Sequence, residues 1–548
     1  MFAPGDGWRA TFRQPILATV EQPPPIEDEA LGRLGRPSLA TAATIVAAGF
    51  LVSRLLGVLR SVAIADTFGD SPELAAYWVA FRLPDLVFQM LAGAALGAAF
   101  IPTFAQIFTK QSQEAAWRMA SSVLTLVTAA TLVFALLGVL LAPVLVPIMA
   151  PGLDEKSLEV DLTRLMMLSP ILFSISGMFM AILNARHSFL FPAIAPVVYN
   201  LSIIVGALVF DDVRMLAASV VVGAALHLAV QTPGLLTVGM RYRLIAQWRD
   251  TAVLQVGRLM APRVLGLAAF QFNLLIMTFF ASTISDEAIS AMNYAWLLIM
   301  APLGLFGMAI STAVFPTLAE QAADNRADLR RTLEQSLRMI LFLTIPAAIG
   351  LMVLSEPLIT FLFQHGNFSE SATELTQPAL IFFAIGLFGH AAIEILSRGY
   401  YALGDTRTPV TFAIVAVVAN LILSAILVGP FELRGLALAI SLATILNATL
   451  LFRTLRTRLE GLDLPSIGRS VGRTLIASVL MAEVIGFYLI LLHQADRLNT
   501  GRFFDAFLAL AGGGMLGGLV FLAAARALHS EEVETLLRRV PWPRRTAL

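Results

Sequence analysis

The chain consists largely of apolar stretches that are each about as long as a membrane span. Apolar residues make up 58% of the 548 residues, charged residues make up only 14%, and the mean hydropathy is +0.80. A soluble protein of this size carries charge on about a quarter of its residues. The polar surface is therefore too small to face water, and the chain is expected to lie in a membrane.

The apolar stretches predict an all-α polytopic membrane protein with about fourteen transmembrane helices, because each stretch approaches the roughly 20 apolar residues that a span needs. The predicted spans lie near residues 38–64, 74–106, 119–149, 159–184, 190–210, 214–238, 256–282, 288–319, 334–363, 372–401, 408–428, 434–455, 470–492 and 503–525. Residues 1–37 are polar and contain prolines, which predicts a disordered cytoplasmic tail. Residues 526–548 form a second predicted cytoplasmic tail.

The basic residues predict how these helices are oriented. With the N-terminus inside, 27 of the 37 Lys and Arg residues lie in inner segments, 5 lie in outer segments and 5 lie within spans. Cytoplasmic loops carry such an excess, so we expect both termini to be cytoplasmic. The chain has no cysteine, which excludes disulfides, thiol nucleophiles and thiolate metal sites.

A repeated pattern divides the predicted helices into two sets of six. Residues 99–105 read AFIPTFA, and residues 313–319, at an offset of 214, read AVFPTLA. The pair at Asn200 and Asn420 follows at a similar offset. Parallel repeats are typical of alternating-access transporters with a site between two lobes. We therefore predict an N-lobe at 38–238, a C-lobe at 256–455 and an added helix pair at 470–525.

Several motifs resemble those of a known transporter family. They are Ser53-Arg-Leu-Leu-Gly-Val-Leu-Arg60, Phe68-Gly69, Val79-Ala-Phe-Arg-Leu-Pro84, Ala150-Pro-Gly152, Leu362-Phe-Gln-His-Gly-Asn-Phe368 and Arg398-Gly-Tyr-Tyr-Ala-Leu-Gly-Asp-Thr-Arg-Thr-Pro-Val410. Together they resemble the MurJ (MviN) family of lipid II flippases, within the superfamily of multidrug and polysaccharide-lipid exporters. The resemblance runs from about residue 40 to residue 460.

The resemblance implies a function. Members of the family move the undecaprenyl-pyrophosphate-linked peptidoglycan precursor from the inner to the outer leaflet of the bacterial cytoplasmic membrane by alternating access. Helices 13 and 14, here 470–525, would form a groove for the lipid tail. We expect no enzymatic activity, no cofactor and no nucleic-acid partner, and a monomer that contacts the cell-wall synthesis machinery. Coupling would use the membrane potential or a monovalent cation, and the resemblance allows a cation contact at Asn420.

The resemblance also assigns roles to three arginines. Arg54 and Arg60 match arginines that line the family's central cavity, and Arg82 matches a basic position before Leu-Pro. Arg54 could instead extend to the outer headgroups. Arg54 and Arg60 lie six residues apart, or about 240° around a helix, so they do not point the same way. Asp85 follows Arg82 by three residues, so the two can pair locally, and a structural ion pair and a functional role both stay open for Arg82.

A second group of ionisable residues lies on the predicted tenth helix. His390, Glu394 and Arg398 recur every four residues and therefore share one face. Ionisable residues within a span indicate a functional site, and Glu394 could hold His390 protonated beside an anionic cargo. Two alternatives stay open, which are a polar seam between helices and, for Arg398, a role as a cytoplasmic positive residue.

The chain departs from the family pattern where charges are expected in the cavity. The positions concerned are Ser61, Ala75, Phe88, Gly93 and Trp296-Leu297. These losses keep two alternatives open, an exporter of drugs or of another lipid-linked glycan, and a transport-inactive scaffold paralogue. A membrane-embedded glycosyltransferase would need acidic metal ligands. The adjacent pair Asp211-Asp212 lies in a short outer turn without supporting ligands, which argues against such an enzyme.

Overall fold

The computed structural model of the protein describes residues 39–91, 93–153, 156–494 and 503–539, and within these ranges the chain is helical without strands. The helices are α1 (Leu39–Phe68), α2 (Pro72–Leu91), α3 (Ala94–Lys110), α4 (Gln113–Met149), α5 (Lys156–Met166), α6 (Leu168–Ala185), α7 (Leu190–Val209), α8 (Val213–Ala229), α9 (Thr232–Thr237), α10 (Thr251–Ser282), α11 (Asp286–Pro302), α12 (Ala309–Asp324), α13 (Arg326–Val353), α14 (Ser355–Phe363), α15 (Glu370–Ala402), α16 (Arg407–Arg458), α17 (Leu464–Gln494), α18 (Phe503–Ala527) and α19 (Glu531–Arg539). A π-helical turn, Leu303–Met308, joins α11 to α12. The predicted tail at 1–37 lies outside the described residues.

The helix lengths confirm an all-α polytopic membrane protein. Among the described residues, 12 helical segments could cross a membrane, or up to 13 if α10, which bends by 44° between Ala261 and Gly266, counts as one span. The 52 residues of α16 would extend about 78 Å as one helix, far more than the ~30 Å of hydrocarbon. At Glu432 the backbone leaves helical geometry, with φ 49° and ψ −128°. Glu432 lies between the predicted spans 408–428 and 434–455, so the architecture is compatible with fourteen spans.

Several predicted spans are divided by short breaks. The stretch 74–106 is divided between α2 and α3 next to Gly93, and the stretch 159–184 is divided between α5 and α6 at Met167. Met167 is buried, with 1% of its surface exposed. Breaks of this kind are tolerated at membrane depth where protein surrounds them. Hydropathy, averaged over a window as long as a span, identified each span and could not show the break inside it.

Helix α10 packs against both parts of the chain; we call α1–α9 the first half and α10–α16 the second half. Val253 and Val256, near its start, belong to the apolar cluster around Phe100, Phe104 and Trp117 of the first half. Farther along, α10 packs against α16 of the second half. The bent helix therefore connects the two halves through side-chain packing as well as through the chain.

The last three helices pack on the side of the second half. Phe342 of α13 contacts the apolar cluster formed with Met481 of α17 and Phe521 of α18. The Glu532 carboxylate of α19 accepts hydrogen bonds from Arg338 Nε (2.7 Å) and from Ser470 (2.8 Å). Burial alone would raise the pKa of Glu532, but hydrogen bonds from Ser530 and Ser470 and the Arg338 charge hold that pKa below its usual value.

Candidate substrate cavity and the contacts between the halves

The first half contains a cavity of about 260 Å³ into which Arg60 projects. Phe88, Phe173 and Tyr199 line much of it, with ring centroids 5.0 Å apart for Phe88–Phe173 and 5.1 Å apart for Phe173–Tyr199. Among the described residues, the Arg60 guanidinium makes no hydrogen bond and no ion pair. The cavity therefore combines one available cation with an aromatic wall and with the carboxylate of Asp85, which accepts a hydrogen bond from Gln271.

His227 forms another part of this wall, and its polar neighbours were not expected. Its Nδ1 lies 2.6 Å from the Ser176 hydroxyl oxygen, and Gln231 Nε2 donates to that oxygen at 2.6 Å. Gln231 Nε2 also donates to the His227 carbonyl oxygen at 3.0 Å. The sequence shows His227 as a lone polar residue in a span. The spacing of four between His227 and Gln231 was the available signal that they belong to one helical face.

Arg54 lies at the boundary between the halves. Its guanidinium carbon is 5.2 Å from the Phe50 ring centroid. A Cβ atom at Gly304 would lie 3.0 Å from Arg54 Nη1, and one at Gly307 would lie 3.2 Å from the Cα atom of Ala391, which follows His390. Arg54 and α15 therefore contact the same π-helical turn. Within the described part of the chain no hydrogen bond or ion pair joins Arg54 to His390, and we predict that the two hold the anionic group of the cargo together.

Arg82 connects the halves: its hydrogen bonds go to the second half, and among the described residues no salt bridge joins it to Asp85. Arg82 Nε donates to Thr278 Oγ1 at 2.9 Å, and Arg82 Nη2 donates to Asn293 Oδ1 at 2.7 Å. Asp85 instead accepts a hydrogen bond from Gln271 Nε2 at 2.8 Å. The planar guanidinium can reach two acceptors at once. Those acceptors lie on α10 and α11, about 200 residues away in sequence, and local spacing could not reveal them.

The three ionisable residues of α15 have separate environments. His390 Nε2 lies 3.2 Å from Thr444 Oγ1, and that hydroxyl donates to a carbonyl four residues earlier in α16. Since the Thr444 proton is used there, Nε2 of His390 is the donor in their contact. The Arg398 guanidinium lies 5.6 Å from the Phe315 ring centroid. Among the described side chains, Glu394 forms no salt bridge with His390 or Arg398, and a pairing of His390 with Glu394 beside bound cargo stays a prediction.

Asn420 lies in a buried amide cluster of the second half. Its Nδ2 donates to Asn273 Oδ1 at 2.9 Å, and its Oδ1 accepts from Ser424 at 3.2 Å. Asn420 is fully buried. No group of three or more His, Asp or Glu side chains suited to a metal ion occurs within the described ranges. These amides join α10 to α16, and a cation contact there stays a prediction.

The backbones of the two halves also meet at the loops that the Lys and Arg distribution assigns to the outer side. Asn367 donates its backbone amide to the Asp66 carbonyl at 2.8 Å, and the Tyr294 hydroxyl donates to the Gly69 carbonyl at 2.9 Å. A Cβ at Gly69 would lie 2.3 Å from the Asn367 carbonyl oxygen, and one at Gly366 would lie 2.2 Å from that of Asp66. Both glycines have positive φ, which favours glycine.

A second outer contact lies between the loop after α4 and the end of α10. A Cβ at Gly152 would lie 1.8 Å from the Ser282 carbonyl oxygen, which leaves no room for a side chain. In the same region, burial and the charge of Glu287 raise the pKa of Asp70 above its usual value, despite an opposing backbone hydrogen bond. The motifs at 68–69, 150–152 and 362–368 therefore share one role, which is to let the two backbones close on each other.

Comparisons with known proteins agree with the helical membrane fold described above. A family model described as "Lipid II flippase MurJ" matches residues 64–501. A probable lipid II flippase MurJ of Thermotoga maritima is 32% identical, covering 90% of this chain and 97% of its own, and a lipid II flippase MurJ of Burkholderia cenocepacia is 32% identical, covering 80% and 89%. A solved lipid II flippase MurJ in an inward closed conformation aligns with a TM-score of 0.75 at 24% identity, covering 90% of this chain and 100% of that one. The chain belongs to the MurJ lipid II flippase family.

Proposed function

We propose that this protein is a flippase that carries lipid II, the undecaprenyl-pyrophosphate-linked peptidoglycan precursor, from the inner to the outer leaflet by alternating access. The observation that carries the proposal is an available cation behind a closed outer face. Arg60 lies six residues before Asp66 in α1, or about 9 Å deeper along the helix. The relatives named as lipid II flippases support the same function.

The chemistry of the cargo fits the cavity. A pyrophosphate does not cross hydrocarbon unaided, and guanidinium groups are its strongest side-chain partners. Arg60 and Arg54 are the cations available on α1, since Arg82 is engaged with Thr278 and Asn293. The polyprenyl tail would remain in or beside the bilayer, along a groove formed by 470–525. Moving the lipid breaks no covalent bond, so the protein needs no catalytic residue.

The wider setting is part of the same proposal. The protein lies in the bacterial cytoplasmic membrane with both termini cytoplasmic, and 38–238 and 256–455 act as two lobes around the cargo. It works as a monomer that contacts the cell-wall synthesis machinery. The membrane potential or a monovalent cation drives it, and Asn420 would contact that cation. His390, Glu394 and Arg398 would contribute to the second-lobe wall of the site.

A second candidate is an exporter of drugs or of another lipid-linked glycan. The packing of Phe88 against Phe173 favours it, because the cavity wall is aromatic where the resemblance implies an arginine. Aromatic walls suit planar or apolar cargo better than a dianion. This candidate keeps the fold and the closed outer face and differs only in what the cavity accepts.

The test is complementation of a bacterial strain depleted of its lipid II flippase, together with a lipid II flipping assay in vesicles. We expect the chain to restore growth, and Arg60→Ala and Arg54→Ala to abolish it at normal expression. The matched control is Arg164→Ala. Arg164 is exposed and forms a long salt bridge, at 3.9 Å, with Asp161 on the same helix. An expressed chain that neither complements nor flips lipid II would favour the exporter or a scaffold.

A further inference from the structure

The segment between α9 and α10 exposes large apolar side chains outside the membrane spans. Tyr242 is 48% exposed, Leu244 is 81% exposed and Trp248 is 59% exposed. The neighbouring candidate spans end at Thr237 and begin again by Thr251. Exposed apolar groups in a short polar linker indicate a surface that something else covers.

Hydrogen bonds hold this linker against α4. Arg243 donates its backbone amide to the Ser121 hydroxyl at 3.2 Å, and the hydroxyls of Tyr242 and Thr125 lie 3.1 Å apart. The Arg243 side chain also lies 3.4 Å from the Glu114 carboxylate. The exposed side chains therefore project from a fixed surface.

The exposed side chains of α4 show how deep this surface lies. Its large exposed apolar residues run from Leu132 to Ile148, or about 24 Å, close to the ~30 Å of hydrocarbon. Thr125 lies seven residues before Leu132, about 10 Å toward the inner end. The headgroup layers add roughly 5–7 Å on each side of the hydrocarbon. The exposed run is about 6 Å shorter than the hydrocarbon, which places the inner hydrocarbon edge about 3 Å before Leu132 and Thr125 about 7 Å beyond that edge. Tyr242, which contacts Thr125, therefore lies at the water-facing side of the inner headgroup layer.

The charge of the linker matches one kind of membrane surface. Arg241, Arg243 and Arg249 are exposed, and the facing carboxylates are Glu114 and Asp250. Asp250 is engaged at the start of α10, where it accepts from the Ala252 amide at 2.8 Å. The Arg249 guanidinium stacks at 4.3 Å from the Trp248 ring, beside an open groove of about 420 Å³. Tryptophan with arginine is typical of interfaces with anionic lipids.

We propose that residues 241–249 form an interfacial binding site for acidic phospholipid headgroups of the inner leaflet. Leu244 and Trp248 insert at the headgroup boundary, and Arg241 and Arg249 contact lipid phosphates. The inference uses the proposed orientation of the chain and is independent of its cargo. Because the linker leads directly into α10, acidic lipid bound there would hold the end of α10 that packs on the first half.

The first experiment uses the absence of cysteine in the chain. Leu244→Cys in the full chain is labelled with an environment-sensitive fluorophore and placed in nanodiscs of phosphatidylcholine, with or without phosphatidylglycerol. The control label is at Asp324→Cys, an exposed position at the end of α12. We expect a blue shift and quenching by brominated acyl chains at 244 but not at 324. A label at 244 that stays water-exposed in both lipids overturns the proposal and leaves the surface to a soluble partner.

The second experiment tests the preference for acidic lipid. Short-chain phosphatidylglycerol or phosphatidylcholine is titrated into the labelled, detergent-purified protein. We expect Arg241→Gln, Arg243→Gln and Arg249→Gln together to weaken the phosphatidylglycerol response at least tenfold. The control removes the same charge on α13, through Arg326→Gln, Arg330→Gln and Arg331→Gln, and should change the response less than twofold. Equal responses to the two lipids, or equal effects of the two triple variants, would refute a specific acidic-lipid site.

Discussion

The two halves contact each other by opposite means at two levels of the membrane. At the face that the Lys and Arg distribution assigns to the outer side, backbones meet at Gly69 and Gly152, where an added Cβ would lie 2.3 Å and 1.8 Å from carbonyl oxygens. Deeper in the protein, Arg82 and Asp85 reach across with side chains. The outer contact depends on the absence of a side chain, whereas the deeper contact depends on its presence. Closure should therefore respond steeply to added bulk outside and gradually to lost hydrogen bonds inside.

The largest expected effect is that of Gly152→Ala. The new methyl group cannot occupy the space of the Ser282 carbonyl, so the loops must separate. Overpacking typically costs about 1–3 kcal/mol, which corresponds to about a 5- to 150-fold shift between states. We expect a chain that inserts and folds but stays open outside, with flippase activity falling by a similar factor. The measurement is labelling of a single Ser282→Cys by a membrane-impermeant maleimide, because residue 282 is 2% exposed in the closed face.

The control for this experiment is Gly468→Ala, since a Cβ at Gly468 would meet nothing within 4 Å. It should leave both the labelling rate and activity unchanged. If Gly152→Ala labels at the wild-type rate and remains active, the outer loops are not the closing surface. The deeper side-chain contacts would then have to hold the outer face closed by themselves.

Arg82→Met should have the next largest effect. It leaves Asn293 Oδ1 and the Thr278 hydroxyl without their partner, and an unsatisfied buried group costs about 1–3 kcal/mol. Water entering an open state relieves this cost, so opening is favoured. Arg82→Lys keeps the charge but not the two-armed geometry, and should lie between Met and wild type in the same cysteine-labelling assay. Arg164→Met is the control. Equal labelling of the Met and Lys variants would show that the two-armed hydrogen bonding of Arg82, and not its charge, holds the face closed.

The sequence predicted the spans well because hydropathy is a local property of about 20 residues. It could not predict the contacts between halves, since the partners of Arg82 lie on α10 and α11. The long motif 398–410 shows a further limit. Gly404 has φ 74°, and the Asp405 carboxylate accepts from the amides of Arg407 and Thr408 where the next helix begins. The motif that most clearly indicated the family therefore builds a turn.

The cavity residues were predicted less well for a related reason. The resemblance predicted Arg60 in the central cavity, and Arg60 lines a cavity within the first half. It gave no indication of the Ser176, His227 and Gln231 cluster beside it. The spacing of four residues on α15 predicted that His390 and Glu394 share one helix face. It could not show that Thr444 of a neighbouring helix takes the hydrogen bond of His390. Helix periodicity predicts the helix face on which a side chain lies. The residue that the side chain contacts depends on how the helices pack.

His390 contacts Thr444 within the second half. We expect substitutions of His390 to have smaller effects than substitutions at the contacts between the halves. His390→Ala removes the bond to Thr444 and should lower stability by about 1 kcal/mol, measured as the thermal unfolding temperature in detergent. His390→Gln retains an N–H donor and should recover most of this loss. If both variants are stable but inactive, the histidine acts on the cargo and is more than part of a seam between helices.

The smallest expected effect comes from Asp70 at the outer face. Burial, with the nearby Glu287 carboxylate, raises the pKa of Asp70 when the face is closed, so the closed face binds this proton more tightly than the open one. Closure is therefore most favourable below the ordinary aspartate pKa and weakens as the pH rises through the raised value. Asp70→Asn removes this dependence and, at neutral pH, should favour closure by about 0.2–1 kcal/mol, as for partly exposed charges. The Ser282→Cys labelling rate is measured with Asp70 present and with Asp70→Asn, and the first rate is divided by the second. This ratio cancels the pH dependence of the thiol itself. The ratio should rise with pH on the outer side, and a constant ratio would mean that Asp70 does not sense closure.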